Sequence, residues 1–242
     1  MDNVDYSIYG DTYFYDVIGD KTIFEVFGVN ITRGDGKITF DLYTNFNNAP
    51  GGTSGPTQVG NYYYNLADFF IDPDRDGDFD YAVVLQNHGE WSAALQSSPG
   101  THGVGLYGVS TWKSSSDFYE GSSVGGGGVY YGEKYSEYFG GPNKVSPVAV
   151  DGYTSSLLIT NGVIKTSTGS NGTTVKYIYS FTLDESSLAD LNVDGPAIFW
   201  GGSTCANDAI SGAPVPEPAS MLLLGTGLVG IIGAKRRSRK NA

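Results

Sequence analysis

Apolar residues recur at every second position in several stretches of this chain, and that period belongs to strands. In "GKITFDLYTN" Ile38, Phe40 and Leu42 point one way, and Lys37, Thr39 and Asp41 point the other. "TVKYIYSFTL" repeats the pattern with Val175, Tyr177, Tyr179 and Phe181. Further strands are predicted in "KTIFEVFGVNI", "ADFFI", "YAVVLQ", "SLLITNGVI" and "GPAIFWGG", the last placing Trp200 in an apolar core strand. Turn residues separate these runs: Gly34-Asp35-Gly36, Asn47 to Gly52, Asn161-Gly162 and Ser170-Asn171-Gly172. Asn161-Gly162 lies between two apolar runs and predicts a hairpin in "SLLITNGVIKTST". One short helix is predicted over Asp184–Leu191, with Asp184 as N-cap and Leu188 and Leu191 facing inward. Ala49–Gly60 and Ser114–Gly128 read as mobile loops. No repeat of propeller or solenoid length is visible. The pattern predicts an all-β chain: one antiparallel β-sandwich of jelly-roll type over residues 1–205, followed by a linker over 206–214.

The last segment follows a different pattern. Pro216-Glu217-Pro218 precedes a sixteen-residue apolar span, 219–234, with four glycines. A basic end follows: Lys235, Arg236, Arg237, Arg239 and Lys240. A spanning helix needs about 20 apolar residues, so this one is short, though a tilted or thinned bilayer could accept it. The basic end would stay cytoplasmic, with the body on the far side.

Composition agrees. The chain has 242 residues with 35 Gly, 18 Tyr and 12 Phe, and only 17% are charged. That favours strands and turns. Of the 14 Lys and Arg, five lie in the last eight residues, whereas all 26 acids lie at or before Glu217. Residues 1–218 thus hold nine bases against 26 acids, a net charge of −17. Such a body is repelled by nucleic acid and by anionic lipid. The single cysteine, Cys205, excludes an internal disulfide and reads as a small packed residue.

The tail resembles the PEP-CTERM sorting signal of bacterial exported proteins: a Pro-Glu-Pro, a short apolar span and an Arg-rich end, in that order over residues 215–242. The resemblance implies recognition by an exosortase, an intramembrane cysteine protease, with cleavage near Pro216–Pro218. The span would hold the chain in the inner membrane until then, and the mature body would pass to the envelope surface or the extracellular matrix. Export also requires an N-terminal signal peptide. The chain opens "MDNVDYSIYGD", so a signal peptide is expected upstream of this start. The body resembles a family of cyanobacterial exosortase-dependent surface proteins in "IFEVFGVNIT", "FFIDPDRDGDFDYAVVL", "GVGLYGV" and "GSTCANDAISG". It departs from that family at Ala206, where glycine is expected.

One body motif carries chemistry. Asp72, Asp74, Asp76, Asp78 and Asp80 alternate, with Gly77 after the third. Five carboxylates so close repel one another unless a cation intervenes. Ca²⁺ takes 6–8 oxygen ligands in flexible geometry and suits the spacing. Asp72, Asp74 and Asp76 would supply carboxylates, Asp78 its carbonyl and Asp80 a fourth carboxylate. An EF-hand would need Glu where Val83 stands, so this is not one. The loop resembles the strand-joining calcium loops of integrin-type propellers, which implies a structural ion clamping a hairpin.

Catalytic sets are not read. His88 and His102 are too few for a histidine zinc site and read as loop residues. No Ser–His–acid set is recognised, nor a phosphate loop. The expected function is therefore a non-enzymatic exported surface or matrix protein. The first alternative is a lectin-like module holding extracellular polysaccharide, with Trp91 and Trp112 as stacking candidates in loop-like contexts. The second is a glycoside-active enzyme using Glu90, Glu133 or Glu137.

Overall fold

A computed structural model describes residues 21–48, 57–59, 62–88, 102–114, 147–157, 159, 162–168, 175–202 and 209–214. Among the described residues, after one helical turn, Lys21–Phe24, every regular element but a single 3₁₀ turn is a strand. They run β1 (Val26–Gly34), β2 (Lys37–Thr44), β3 (Thr57–Val59), β4 (Tyr62–Tyr64), β5 (Phe69–Asp72) and β6 (Tyr81–Val84). Then come β7 (Gly105–Ser114), β8 (Pro147–Leu157), β9 (Ile164–Ser167), β10 (Tyr177–Asp184), β11 (Ala197–Trp200) and β12 (Ile210–Gly212).

Two antiparallel sheets carry the fold, as the alternation predicts. One has the order β1-β2-β10-β9 and the other β12-β11-β5-β6-β7-β8; β3 and β4 form a separate ribbon, with β3 inside the Ala49–Gly60 stretch read as loop. In β2 the inward set is Ile38, Phe40 and Leu42, all fully buried. In β10 it is Tyr179, Phe181 and Leu183. Phe40 and Phe181 face each other across the β2–β10 pair, with centroids 5.1 Å apart. Phe69, from the other sheet, packs 5.0 Å from Phe40 and 5.4 Å from Phe181. These three rings join the two sheets into one sandwich core.

The six-stranded sheet is apolar on both faces. Phe69, Ile71 and Val83 enter the main core, while Phe70, Ala82, Val84 and Phe199 form a second cluster on the opposite face. This explains why "ADFFI" and "YAVV" read as continuous apolar runs rather than as alternating strands.

Three sequence expectations change. The Asn161-Gly162 hairpin does not form, because β8 pairs with β7 and β9 pairs with β10, in different sheets. The turn itself exists: the Gly162 N–H donates to the Ile159 carbonyl and Gly162 takes φ 62°. It carries the chain between sheets. The helix over Asp184–Leu191 shrinks to a 3₁₀ turn, Glu185–Ser187. The Asp184 side chain is not a cap; it pairs with Lys37 at 2.7 Å. Leu188 still faces inward and Leu191 packs on the core, as read. Finally, the chain does not leave the sandwich at residue 205, since β12 adds an edge strand to β11 inside the stretch read as linker.

Candidate metal centre

The Asp-rich loop joins β5 to β6, the central pair of the larger sheet. Asp72 ends β5 and is 3% exposed. Its Oδ1 accepts the Arg75 N–H at 2.6 Å and its Oδ2 accepts the Gly77 N–H at 2.9 Å. One buried carboxylate therefore folds the loop around itself. Two Asx turns continue it: Asp76 N–H donates to Asp74 Oδ1 at 3.1 Å, and Asp78 N–H to Asp76 Oδ1 at 2.9 Å. Gly77 takes φ 100°, which only glycine adopts freely. Arg75 sits at φ 66° and turns its guanidinium to the carbonyls of Gly195 and Pro214. The loop's basic side chain is thus engaged with backbone rather than with the carboxylates.

Carboxylate oxygens of Asp72, Asp74 and Asp80 converge within 4.8 Å of one another. Of the five aspartates read as ligands, these three come together. Asp76 and Asp78 lie outside the group and are exposed. The electrostatics are costly. Burial raises the Asp72 carboxyl above the usual range, against the pull of the Gly77 and Arg75 N–H groups. The Asp80 carboxyl is raised by desolvation and then by the charges of Asp74, Asp76, Asp72 and Asp78. An all-oxygen, carboxylate donor set of this size fits a hard cation. A cleft of about 270 Å³ opens beside Asp74 and Asp80 and is lined further by Tyr81, Thr154, Ser155 and Asp190.

Trp112 is not in a loop. It lies on β7 opposite Val150, half-buried against the outer cluster. Trp200 is fully buried, its Nε1–H donating to the Ala67 carbonyl at 3.1 Å. Trp91, Glu90, Glu133 and Glu137 lie outside the described residues.

Both histidines lie in segments between named strands. Both are buried, and they bridge to each other through paired backbone hydrogen bonds. His88 Nε2 lies 2.9 Å from Asp68 Oδ2, and that oxygen also accepts the Val150 N–H at 2.8 Å. The sequence signal was Asp68 itself, an acid inside the apolar run "LADFF", which folding must pair.

Residues 214–237 match the family model of the PEP-CTERM protein-sorting motif. This chain carries a PEP-CTERM sorting motif. The motif supports an exported protein, targeted to exosortase and sent across the membrane to the cell surface. Pro216, Glu217, Pro218, Lys235, Arg236 and Arg237 fall inside the match, and Arg239 and Lys240 follow it. From residue 215 on, the PEP-CTERM segment lies outside the described residues, including the 219–234 span. Among the described residues no helix is long and apolar enough to cross a membrane. No curated protein and no solved structure matches the chain.

Proposed function

We propose that this is an exported surface or matrix protein, cut by an exosortase, whose sandwich is clamped by Ca²⁺ at Asp72, Asp74 and Asp80 and performs no catalysis. The convergence of three carboxylates within 4.8 Å at the β5–β6 connection carries the metal reading. The ion would tie the buried end of β5 to the start of β6. Its charge would offset the repulsion that raises Asp72 and Asp80. The role is structural, because the loop's oxygens already organise its own backbone.

Thermal unfolding of residues 1–214 with chelator and then with calcium tests the clamp. An ion at 100-fold its Kd adds about 2.7 kcal/mol, which for a body of this size raises Tm by roughly 5–10 °C. A calcium-independent Tm would remove the clamp.

A second reading rests on the cleft beside Asp74 and Asp80. A cation there would face the hydroxyls of Thr154, Ser155 and Tyr81, a surrounding suited to a polyhydroxylated ligand such as extracellular polysaccharide. The body would then be a calcium-dependent, lectin-like module. Retention of residues 1–214 on matrix polysaccharide should appear with calcium and vanish with chelator. Retention in neither condition would leave the purely structural role.

A further inference from the structure

The buried Asp68–His88–His102 cluster is used by neither reading above. Asp68, His88 and His102 are 1%, 3% and 4% exposed. They come from the segment entering β5, the segment leaving β6 and the segment entering β7. Asp68 also ties down β8, through its side chain to the Val150 N–H and through its own N–H to the Val148 carbonyl at 2.9 Å. One carboxylate therefore holds a histidine and a strand together.

Asp68 Oδ2 and His88 Nε2 share one hydrogen bond at 2.9 Å. The His102 ring stacks on the His88 ring, with centroids 5.0 Å apart and planes at 23°. It is bounded by Tyr107 at 5.7 Å and Tyr153 at 5.4 Å. The other charged groups facing it are Asp68 and Asp151. Asp151 lies on β8 and is 3.7 Å from Lys113 of β7. A second imidazolium stacked on the first and shielded from water is disfavoured by burial and by the neighbouring ring's charge.

We propose that Asp68, His88 and His102 form an acid-sensitive latch, which fastens the entry to β7 and the Pro147–Val150 half of β8 to the entry to β5, and which loosens as pH falls from about 7 to 5. The direction follows from His102. Burial first, and then the charge of His88, holds its imidazole below the ordinary histidine range; Asp68 and Asp151 pull the other way and do not win. The unfolded chain takes up this proton near pH 6.5, while the folded chain resists it. The stability due to His102 is thus fully present above that pH and drains as pH drops toward the depressed folded value. A body displayed outside the cell would meet such changes directly.

The test is urea unfolding of the full chain in detergent at pH 7.5, 6.5 and 5.5, run with chelator and again with saturating calcium. The calcium arm separates the latch from protonation of the Asp loop. The wild-type midpoint should fall with pH in both arms, and His102→Gln should remove at least half of that fall. Should the variant not fold, the two imidazole C2–H resonances of the untagged wild type decide, since the chain has only two histidines. One should titrate clearly below the ordinary value. A flat wild-type profile, an unchanged slope in His102→Gln, or two ordinary titrations would overturn the latch.

Discussion

The Tyr179 hydroxyl serves three backbone groups at once. It donates toward the carbonyls of Phe46 at 2.8 Å and Asn48 at 3.0 Å, and accepts the Asn48 N–H at 2.9 Å. Burial drives its phenol far above the ordinary range, so it stays protonated. Alternation in the sequence told which way Tyr179 points, but its partners lie 131 and 133 residues away and no local pattern marks them. Tyr179→Phe keeps the ring and strands buried polar groups, so it should cost about 1–3 kcal/mol in urea unfolding. Asp80→Asn should act with opposite signs. Asp80 is raised, so ionising it at neutral pH costs the metal-free fold stability, and that cost grows as pH climbs through the usual carboxylate range. With chelator the variant should match or exceed wild type in Tm; with calcium it should fall below it, because a ligand is lost. An equal calcium gain in both proteins would show that Asp80 is not a ligand.

Strands were legible wherever one face meets core and the other meets water. β2 and β10 are examples, and their register sets Phe40 against Phe181. The β1–β2 hairpin was legible for a separate reason, since Asp35 and Gly36 take φ 54° and 70°, the left-handed pair that a two-residue turn needs. Nothing stands within 4 Å of a Cβ built at Gly36, so Gly36→Ala tests backbone alone. It should cost about 1–2 kcal/mol, read as a lower urea midpoint. Asn161-Gly162 carries the same local signal, yet the strands beside it join different sheets. A turn motif fixes a reversal of the chain; which partners the strands then choose depends on long-range packing. The Asp-rich loop stands between these cases. Its position between two strands was legible in spacing, whereas its folding around the Asp72 carboxylate was not. Which three carboxylates converge depended on Asx turns that draw Asp76 away.

At the scale of the molecule, charge and apolarity are divided along the chain. Residues 1–218 carry a net charge of −17, and five bases crowd the end of the PEP-CTERM segment. The body buries its rings between two sheets and holds its aspartate loop at the end of the larger sheet's central pair, whereas the tail keeps its apolar residues in one run. The last described contacts of the sandwich are made by β12 and by Pro214. The PEP-CTERM match begins at residue 214. A cut near Pro216–Pro218 would leave every described strand and the Arg75–Pro214 bond in the released part. It would remove the apolar span and all five terminal bases, leaving a strongly acidic body. Mass spectrometry of the protein from exporting cells should then find a C-terminal peptide ending within a few residues of Glu217, with unfolding identical to that of residues 1–214. Recovery of peptides containing "AKRRSRK" from the surface fraction would mean that the tail persists as an anchor, and exosortase processing would have to be abandoned.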